Sequence, residues 1–211
     1  MIATIDNLKF EKELYEKNIT LIAGVDEVGR GPLVGPVVAS AVILPKNYII
    51  DGLTDSKKLS EKKRSQLFEE IINNALSVGI GIVDAKTIDE INILEASKLA
   101  MIQAIEKLNL RPNHLLIDGN QNLNIAIPQT TIIKGDYLSQ SIAAASVIAK
   151  VTRDKMMYEL DELYPEYEFK SHKGYPTKKH IANIEKYGVL KNYRFSYAPV
   201  KEIKKRRDDV N

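Results

Sequence analysis

Apolar positions along this chain recur in two periods, and the alternation between them sets the expected architecture. Leu8, Phe10 and Leu14 are spaced for one face of a short leading helix between Asp6 and Lys17. Thr20 to Asp26 and Val37 to Leu44 are apolar runs of strand length, as buried strands require. Between them, Gly29-Arg30-Gly31-Pro32-Leu33-Val34-Gly35-Pro36 is too rich in glycine and proline for either regular element. Ser60 is placed to cap a helix with Leu67, Phe68, Ile71 and Ile72 on one side. Val78, Ile80 and Ile82 alternate as the apolar side of a half-buried strand. Thr87 and Glu90 form a capping-box pattern that opens a helix whose stripe is Ile91, Leu94, Leu99, Ile102 and Ile105, and Arg111-Pro112 stops it. His114 to Asp118 reads as a short strand ending in the turn Gly119-Asn120-Gln121-Asn122, and Thr130 to Lys134 as another. Ser139 to about Leu163 is the longest helical stretch, with Ala143, Ala144, Ala145 and Ala149 small enough for close packing on a sheet. Thr177 to Tyr187 is the last expected helix, closed by Gly188.

A pair of strands followed by strands alternating with helices predicts an α/β fold with a mixed central sheet flanked by helices. The length of 211 residues, 44% hydrophobic and 27% charged, suits a single domain. Its core is expected over about residues 18–163, with a C-terminal helix and loop extension over 164–200 and a frayed, mixed-charge tail over 201–211.

The 30 basic and 28 acidic residues leave a net charge of only +2, which conceals local clusters: Lys57, Lys58, Lys62, Lys63 and Arg64; Lys170, Lys173, Lys178 and Lys179; and Lys204 to Arg207. Cysteine is absent, which excludes disulfides, thiolate zinc sites and cysteine nucleophiles. Met1 to Phe10 lacks a basic segment followed by an apolar run, so no secretory leader is expected. No apolar run approaches the ~18–20 residues that span a bilayer. A soluble, cytoplasmic protein without membrane association is expected.

Three acidic features stand out: Val25-Asp26-Glu27, Leu116-Ile117-Asp118-Gly119 and Lys134-Gly135-Asp136. Each closes an apolar strand or lies beside a glycine, where open α/β sheets place their ligands. Carboxylates drawn together raise one another's pKa values, and hard divalent cations relieve the repulsion. Spacing alone leaves two readings open, a metal site or separate helix caps and turns. Adjacent strand residues point to opposite faces, so the first strand is expected to end at Asp26 or Glu27 for both to reach one cluster.

The wording of these segments narrows the choice. Ala23-Gly24-Val25-Asp26-Glu27-Val28-Gly29-Arg30-Gly31-Pro32-Leu33-Val34-Gly35-Pro36-Val37-Val38 closely resembles the opening motif of the ribonuclease HII family. Asp55-Ser56-Lys57-Lys58-Leu59-Ser60 is similar to a second motif of that family. Lys134-Gly135-Asp136, continuing through Ser141 to Asp154, resembles its signature helix, and Ser171-His172-Lys173-Gly174-Tyr175-Pro176-Thr177 its late loop. The resemblance spans about Ala23 to Thr177. It implies a ribonuclease H-like fold and an endonuclease that cuts the RNA strand of RNA–DNA hybrids. It further implies cleavage at single ribonucleotides in duplex DNA, by two-metal catalysis with Mn²⁺ or Mg²⁺, leaving 3′-hydroxyl and 5′-phosphate ends. Primer removal and ribonucleotide excision repair are the roles that go with it.

By motif, the resemblance assigns metal binding and catalysis to Asp26, Glu27, Asp118 and Asp136. It assigns reading of the 2′-hydroxyl to Gly29, Arg30 and Gly31 together with Tyr175. Lys57, Lys58, Ser139, Lys150, Arg153 and Lys173 are candidates for phosphate contacts, although Lys150 and Arg153 equally suit neutralising the acids. Arg194-Phe195-Ser196-Tyr197 receives no role. A monomer is expected, and a sliding clamp is a possible partner that the sequence does not itself indicate. The competing reading from another class is a hybrid-binding module without turnover. Loss of a carboxylate would suggest it, but all four are present.

Overall fold

The computed structural model describes residues 7–53, 56 and 59–208. Five strands form one mixed sheet in the order β3-β2-β1-β4-β5. β1 (Ile22–Val28), β2 (Val37–Ile43) and β3 (Ser77–Val83) pair antiparallel, whereas β4 (His114–Asp118) and β5 (Gln129–Ile132) extend the sheet parallel to β1. The helices are α1 (Lys9–Tyr15), α2 (Glu61–Asn74), α3 (Ala85–Glu106), α4 (Gly135–Leu138), α5 (Gln140–Leu163), α6 (Phe169–His172), α7 (Lys178–Tyr187) and α8 (Ala198–Asp208). The α/β architecture with a mixed sheet and a C-terminal helical extension is as expected. Among the described residues no helix is long and apolar enough to cross a membrane.

β2 shows why the sheet needs cover on both sides: all seven of its residues are buried. Val37, Ala39, Ala41 and Ile43 join Ala96, Ala100 and Ala104 of α3 in one core, while Val42 joins Leu67, Ile71 and Ala143 to Ala145 in another under α2 and α5. α5 lies almost on the backbone of β1: a Cβ at Gly24 would stand 2.0 Å from the Ser141 carbonyl carbon. Its N-terminus is held by Ser139, whose hydroxyl caps Ile142 N–H and donates to the buried Glu11 carboxylate at 2.6 Å. Glu11 also accepts from Ser141 N–H at 3.0 Å, favourably placed at a helix N-terminus.

Several expectations are corrected. β1 does not end at Asp26 or Glu27 but runs on to Val28, because β2 continues to pair with it through Val28↔Val38. On β3, Val78, Ile80 and Ile82 form the more open side, and Gly79 and Gly81 face α3. α3 approaches so closely that added Cβ atoms would stand 2.0 and 1.9 Å from the Ala104 and Ala100 carbonyl oxygens. The outward backbone of β3 is also engaged: Gln103 accepts from Ile82 N–H and Lys107 donates to the Ile80 carbonyl. The capping box at Thr87 and Glu90 is displaced, since Asp84 caps the helix by accepting from Thr87 N–H at 2.8 Å. α3 then kinks at Asn92 (φ 67°), whose side chain caps a restart at Leu94 and Glu95. The expected stripe is broken there, and Leu94 is exposed.

The tail is not frayed as far as Asp208. α8 buries Val200 and Ile203, and Arg206 and Arg207 bond to Glu185 of α7. Residues 209–211 lie outside the described residues.

Candidate functional site

The carboxylates meet where β1 and β4 part. The last β1–β4 pair is Val25↔Ile117, so Asp26, Glu27 and Asp118 stand just beyond the shared ladder. Asp26 and Glu27 do leave opposite faces of the strand. Asp26 is buried on the α5 side, near the Ser146 hydroxyl, and its Oδ1 accepts Glu27 N–H at 2.7 Å. Glu27 faces a cavity that it lines with Asp118, Arg30, Leu94, Ser97 and Asn120. Asp118 reaches both sides. Burial pushes the Asp26 carboxyl well above its ordinary range, and the charges of Glu27 and Asp118 push it further. Burial and Asp118 also raise Glu27, against the lowering influence of Arg30, which pairs with it at 3.4 Å.

Asp136 lies in the first turn of α4, buried, one residue after Gly135. Gly135 N–H donates to Asp118 Oδ1 at 2.7 Å, which ties that turn to the end of β4. Among the described residues, however, no three acids are drawn to ligating distance of one point. The expected convergence is thus a three-acid neighbourhood with Asp136 beside it rather than a closed cage. The donor set is nevertheless all carboxylate oxygen and desolvated, which matches a hard divalent cation and no softer metal.

The Gly29–Gly31 segment and Tyr175 lie beside the acids. Gly29 has φ 98°, and a Cβ there would strike Arg153 Nε at 2.4 Å. The Tyr175 ring stands 3.4 Å from the Cβ position of Gly31, with Tyr175 still 41% exposed. Gly29, Arg30, Gly31 and Tyr175 are therefore brought together as expected.

The phosphate-contact candidates divide. Ser139 is corrected: its hydroxyl is wholly buried in the α5 cap. Arg153 is also corrected. It is fully buried and donates to the carbonyls of Pro36, Val34 and Lys173, neither meeting a solvent-borne phosphate nor pairing with the four acids. Lys150 pairs with Asp154 at 2.7 Å, so it neutralises that acid and not the cluster. The Lys173 ammonium sits over the Tyr158 ring. Lys57 and Lys58 lie outside the described residues.

Sequence reasoning missed Arg194. Its guanidinium is fully buried and donates to the carbonyls of Gly29 (2.6 Å), Arg30 (2.9 Å) and Gly35 (3.0 and 2.9 Å), and to the Tyr197 hydroxyl (3.1 Å). Arg153 and Arg194 together hold both ends of the Gly29–Pro36 loop by its carbonyls. Burial pulls the Arg153 guanidinium down to about 10, still charged at neutral pH.

His172 and His180 stay out of the acid cluster, stacked face to face at 4.1 Å. Burial holds His180 down at about 4, and His172 is lowered too. An unfolded histidine takes its proton near pH ~6.5, so between those values the unfolded chain binds more protons than the folded one. Stability is then fully present above pH ~6.5 and is lost as pH falls toward 4. Urea midpoints from pH 7 to 4 should fall for the wild type and fall less steeply for His180→Asn; equal slopes would contradict the assignment.

A family model described as Ribonuclease HII matches residues 23–200. The chain is 57% identical over 195 residues to the ribonuclease HII of Bacillus cereus (strain B4264), covering 92% of this chain and 76% of that protein. The crystal structure of ribonuclease H2 from Pyrococcus horikoshii OT3 superposes with a TM-score of 0.76 at 28% identity, covering 88% of this chain and 97% of that one. The crystal structure of Bst-RNase HIII in complex with Mn²⁺ shares the fold, with a TM-score of 0.68 at 17% identity over 91% of this chain and 73% of that one. With the carboxylates at the parting of β1 and β4 and the Gly-Arg-Gly loop under Tyr175, these matches identify the chain as a member of the ribonuclease HII family, type 2 ribonucleases H that hydrolyse phosphodiester bonds in the RNA strand of RNA–DNA hybrids.

Proposed function

We propose that this enzyme incises duplex DNA on the 5′ side of a single embedded ribonucleotide, as well as cutting continuous RNA–DNA hybrids, and leaves 3′-hydroxyl and 5′-phosphate ends. The observation that carries this reading is the adjacency of the acid cluster to the Gly29–Gly31 loop under the Tyr175 ring. Groups that contact one sugar beside groups that suit the scissile phosphate require no run of RNA.

Asp26, Glu27, Asp118 and Asp136 would hold Mg²⁺ or Mn²⁺; the fold relative solved with Mn²⁺ supports a divalent ion of this class. Such ions, held there, would make a water more acidic and would offset charge at the departing 3′ oxygen. The chain's own residues set where this happens. Gly31 offers bare backbone to a sugar, where the 2′-hydroxyl alone separates RNA from DNA by donating and accepting. Tyr175 supplies an exposed ring face for the following deoxyribose. Arg30, paired with Glu27, links the reading loop to the acid cluster. Lys173 remains a candidate for a phosphate contact, which positions a duplex without specifying sequence. Primer removal and ribonucleotide excision in the cytoplasm are the settings that suit such an activity.

Gel mapping of an end-labelled duplex with one ribonucleotide, supplied with Mg²⁺ or Mn²⁺, tests the proposal. One cut 5′ to the ribonucleotide is expected. Tyr175→Ala should slow that cut while duplex affinity changes little, because lysine and arginine contacts to phosphate persist. Cleavage confined to substrates with several consecutive ribonucleotides would overturn the reading.

A further inference from the structure

The chemistry above makes no use of the buried pair His172 and His180, yet every one of their ring nitrogens is engaged around the segment that carries Tyr175. His172 Nε2 meets the Tyr167 carbonyl at 2.9 Å. A carbonyl only accepts, so Nε2 bears the hydrogen and the bare Nδ1 accepts Gly174 N–H at 3.1 Å. In His180 the order is reversed. Its Nδ1 meets the Tyr175 carbonyl at 2.9 Å and must donate, which leaves Nε2 to accept from the Tyr193 hydroxyl at 2.8 Å. Tyr193 is fully buried, and burial pushes its phenol upward, so it keeps the proton that it donates. Two neutral rings of opposite tautomer thus stack with an interplanar angle of 18°.

The turn between them is a demanding one. Lys173 (φ 50°) and Gly174 (φ 84°) are both left-handed, and a Cβ at Gly174 would stand 2.8 Å from Val34. Gly174 also accepts from Leu33 N–H at 2.8 Å, which joins this turn to the reading loop. Tyr175 N–H donates to the His172 carbonyl at 2.9 Å. The Tyr175 main chain is therefore gripped from both sides by the histidine pair, while its ring projects over Gly31.

We propose that His180, with its tautomer set by the Tyr175 carbonyl, its Nε2 held by Tyr193 and its ring backed by His172, is the positioning residue that holds the Tyr175 ring over Gly31 and so sets the rate of cutting at a single ribonucleotide. This rests on the reading of Tyr175 and Gly31 as the sugar-contacting pair. A displacement of about 1 Å in a positioned group is enough to cost up to ~10²-fold in rate.

The experiment compares His180→Phe, which keeps ring volume and loses both hydrogen bonds, with His180→Asn, whose amide can still donate toward the Tyr175 carbonyl. Tyr175→Ala, the double variant His180→Phe/Tyr175→Ala and Tyr193→Phe complete the set. Each is assayed for kcat and KM on the single-ribonucleotide duplex and for its urea midpoint. His180→Phe should lower kcat by about tenfold or more with little change in KM, and His180→Asn should recover most of it. The double variant should be no slower than Tyr175→Ala alone, since a positioning residue has nothing to act on once the ring is gone. Tyr193→Phe leaves the backbone of the turn in place, and should lower kcat even if His180→Phe does not fold. Wild-type kcat in folded His180→Phe or Tyr193→Phe, or losses from His180→Phe and Tyr175→Ala that add in full, would overturn the positioning role. If Tyr175→Ala itself cuts at the wild-type rate, the reading of Tyr175 falls and this role with it. A slow Tyr175→Ala beside wild-type His180 variants removes only the positioning role.

Discussion

Asp118→Asn is expected to lower turnover on an RNA–DNA hybrid by about 10²-fold or more, the scale on which loss of one group that holds transition-state charge is felt. Asp118 is the acid whose charge reaches both Asp26 and Glu27, so it is the shared member of the cluster. Asparagine keeps an oxygen that can accept Gly135 N–H, and the turn into α4 should survive the change. With one charge fewer beside Asp26, the metal-free protein should melt no lower than wild type. The rise in Tm produced by Mg²⁺ or Mn²⁺ should shrink, because ligand stabilisation follows affinity for the native state. Cleavage assays and melting curves in chelator and in excess metal check both halves. Wild-type turnover, or an undiminished metal-induced shift, would show that the ions bind elsewhere.

Arg194→Met should be costly to stability and to activity together. The guanidinium satisfies the carbonyls of Gly29, Arg30 and Gly35, and methionine fills comparable space while leaving them without it. Each buried polar group left unpaired costs about 1–3 kcal/mol, and with Gly29 and Gly35 left so a loss of at least about 2 kcal/mol is expected. The Tyr197 hydroxyl still reaches the Arg30 carbonyl at 2.6 Å, which limits the damage there. Lysine should rescue little, since an ammonium cannot reproduce a planar fork of donors. Displacement of Gly29 to Gly31 should also slow cutting by up to ~10²-fold in the fraction that remains folded. Urea denaturation gives the first quantity and single-turnover kinetics the second. A stable Arg194→Met enzyme with wild-type kinetics would mean that the loop holds its shape without the clamp.

These two residues mark the range of what the sequence discloses. Asp118 closes an apolar strand before a glycine, a pattern read locally, and β4 spans His114 to Asp118 as expected. Arg194 works through carbonyls of residues some 160 positions away, and a carbonyl belongs to every residue type, so no pairing partner advertises it. Arg153 was misjudged for the same reason. The α3 stripe holds in part, since Ile105 is buried and Ile91, Leu99 and Ile102 pack against the core, but the Asn92 kink interrupts it and alanines take the closest sheet-facing positions. On β3, glycines pass for spacers between Val78, Ile80 and Ile82, although their bareness is what admits the helix. The charge-rich tail concealed two buried residues, Val200 and Ile203, that suffice to seat α8 on α7.

The seating of α3 on β3 also bears on the open edge of the sheet. β3 is the outermost antiparallel strand, and an open strand edge is a template on which another chain can pair. Here two of the outward groups that an incoming strand would engage, the Ile82 amide and the Ile80 carbonyl, are already taken by Gln103 and Lys107. The approach that the glycines permit brings those two side chains within reach of the edge. A helix packed for the core thereby blunts part of that edge, with a lysine charge left at its margin.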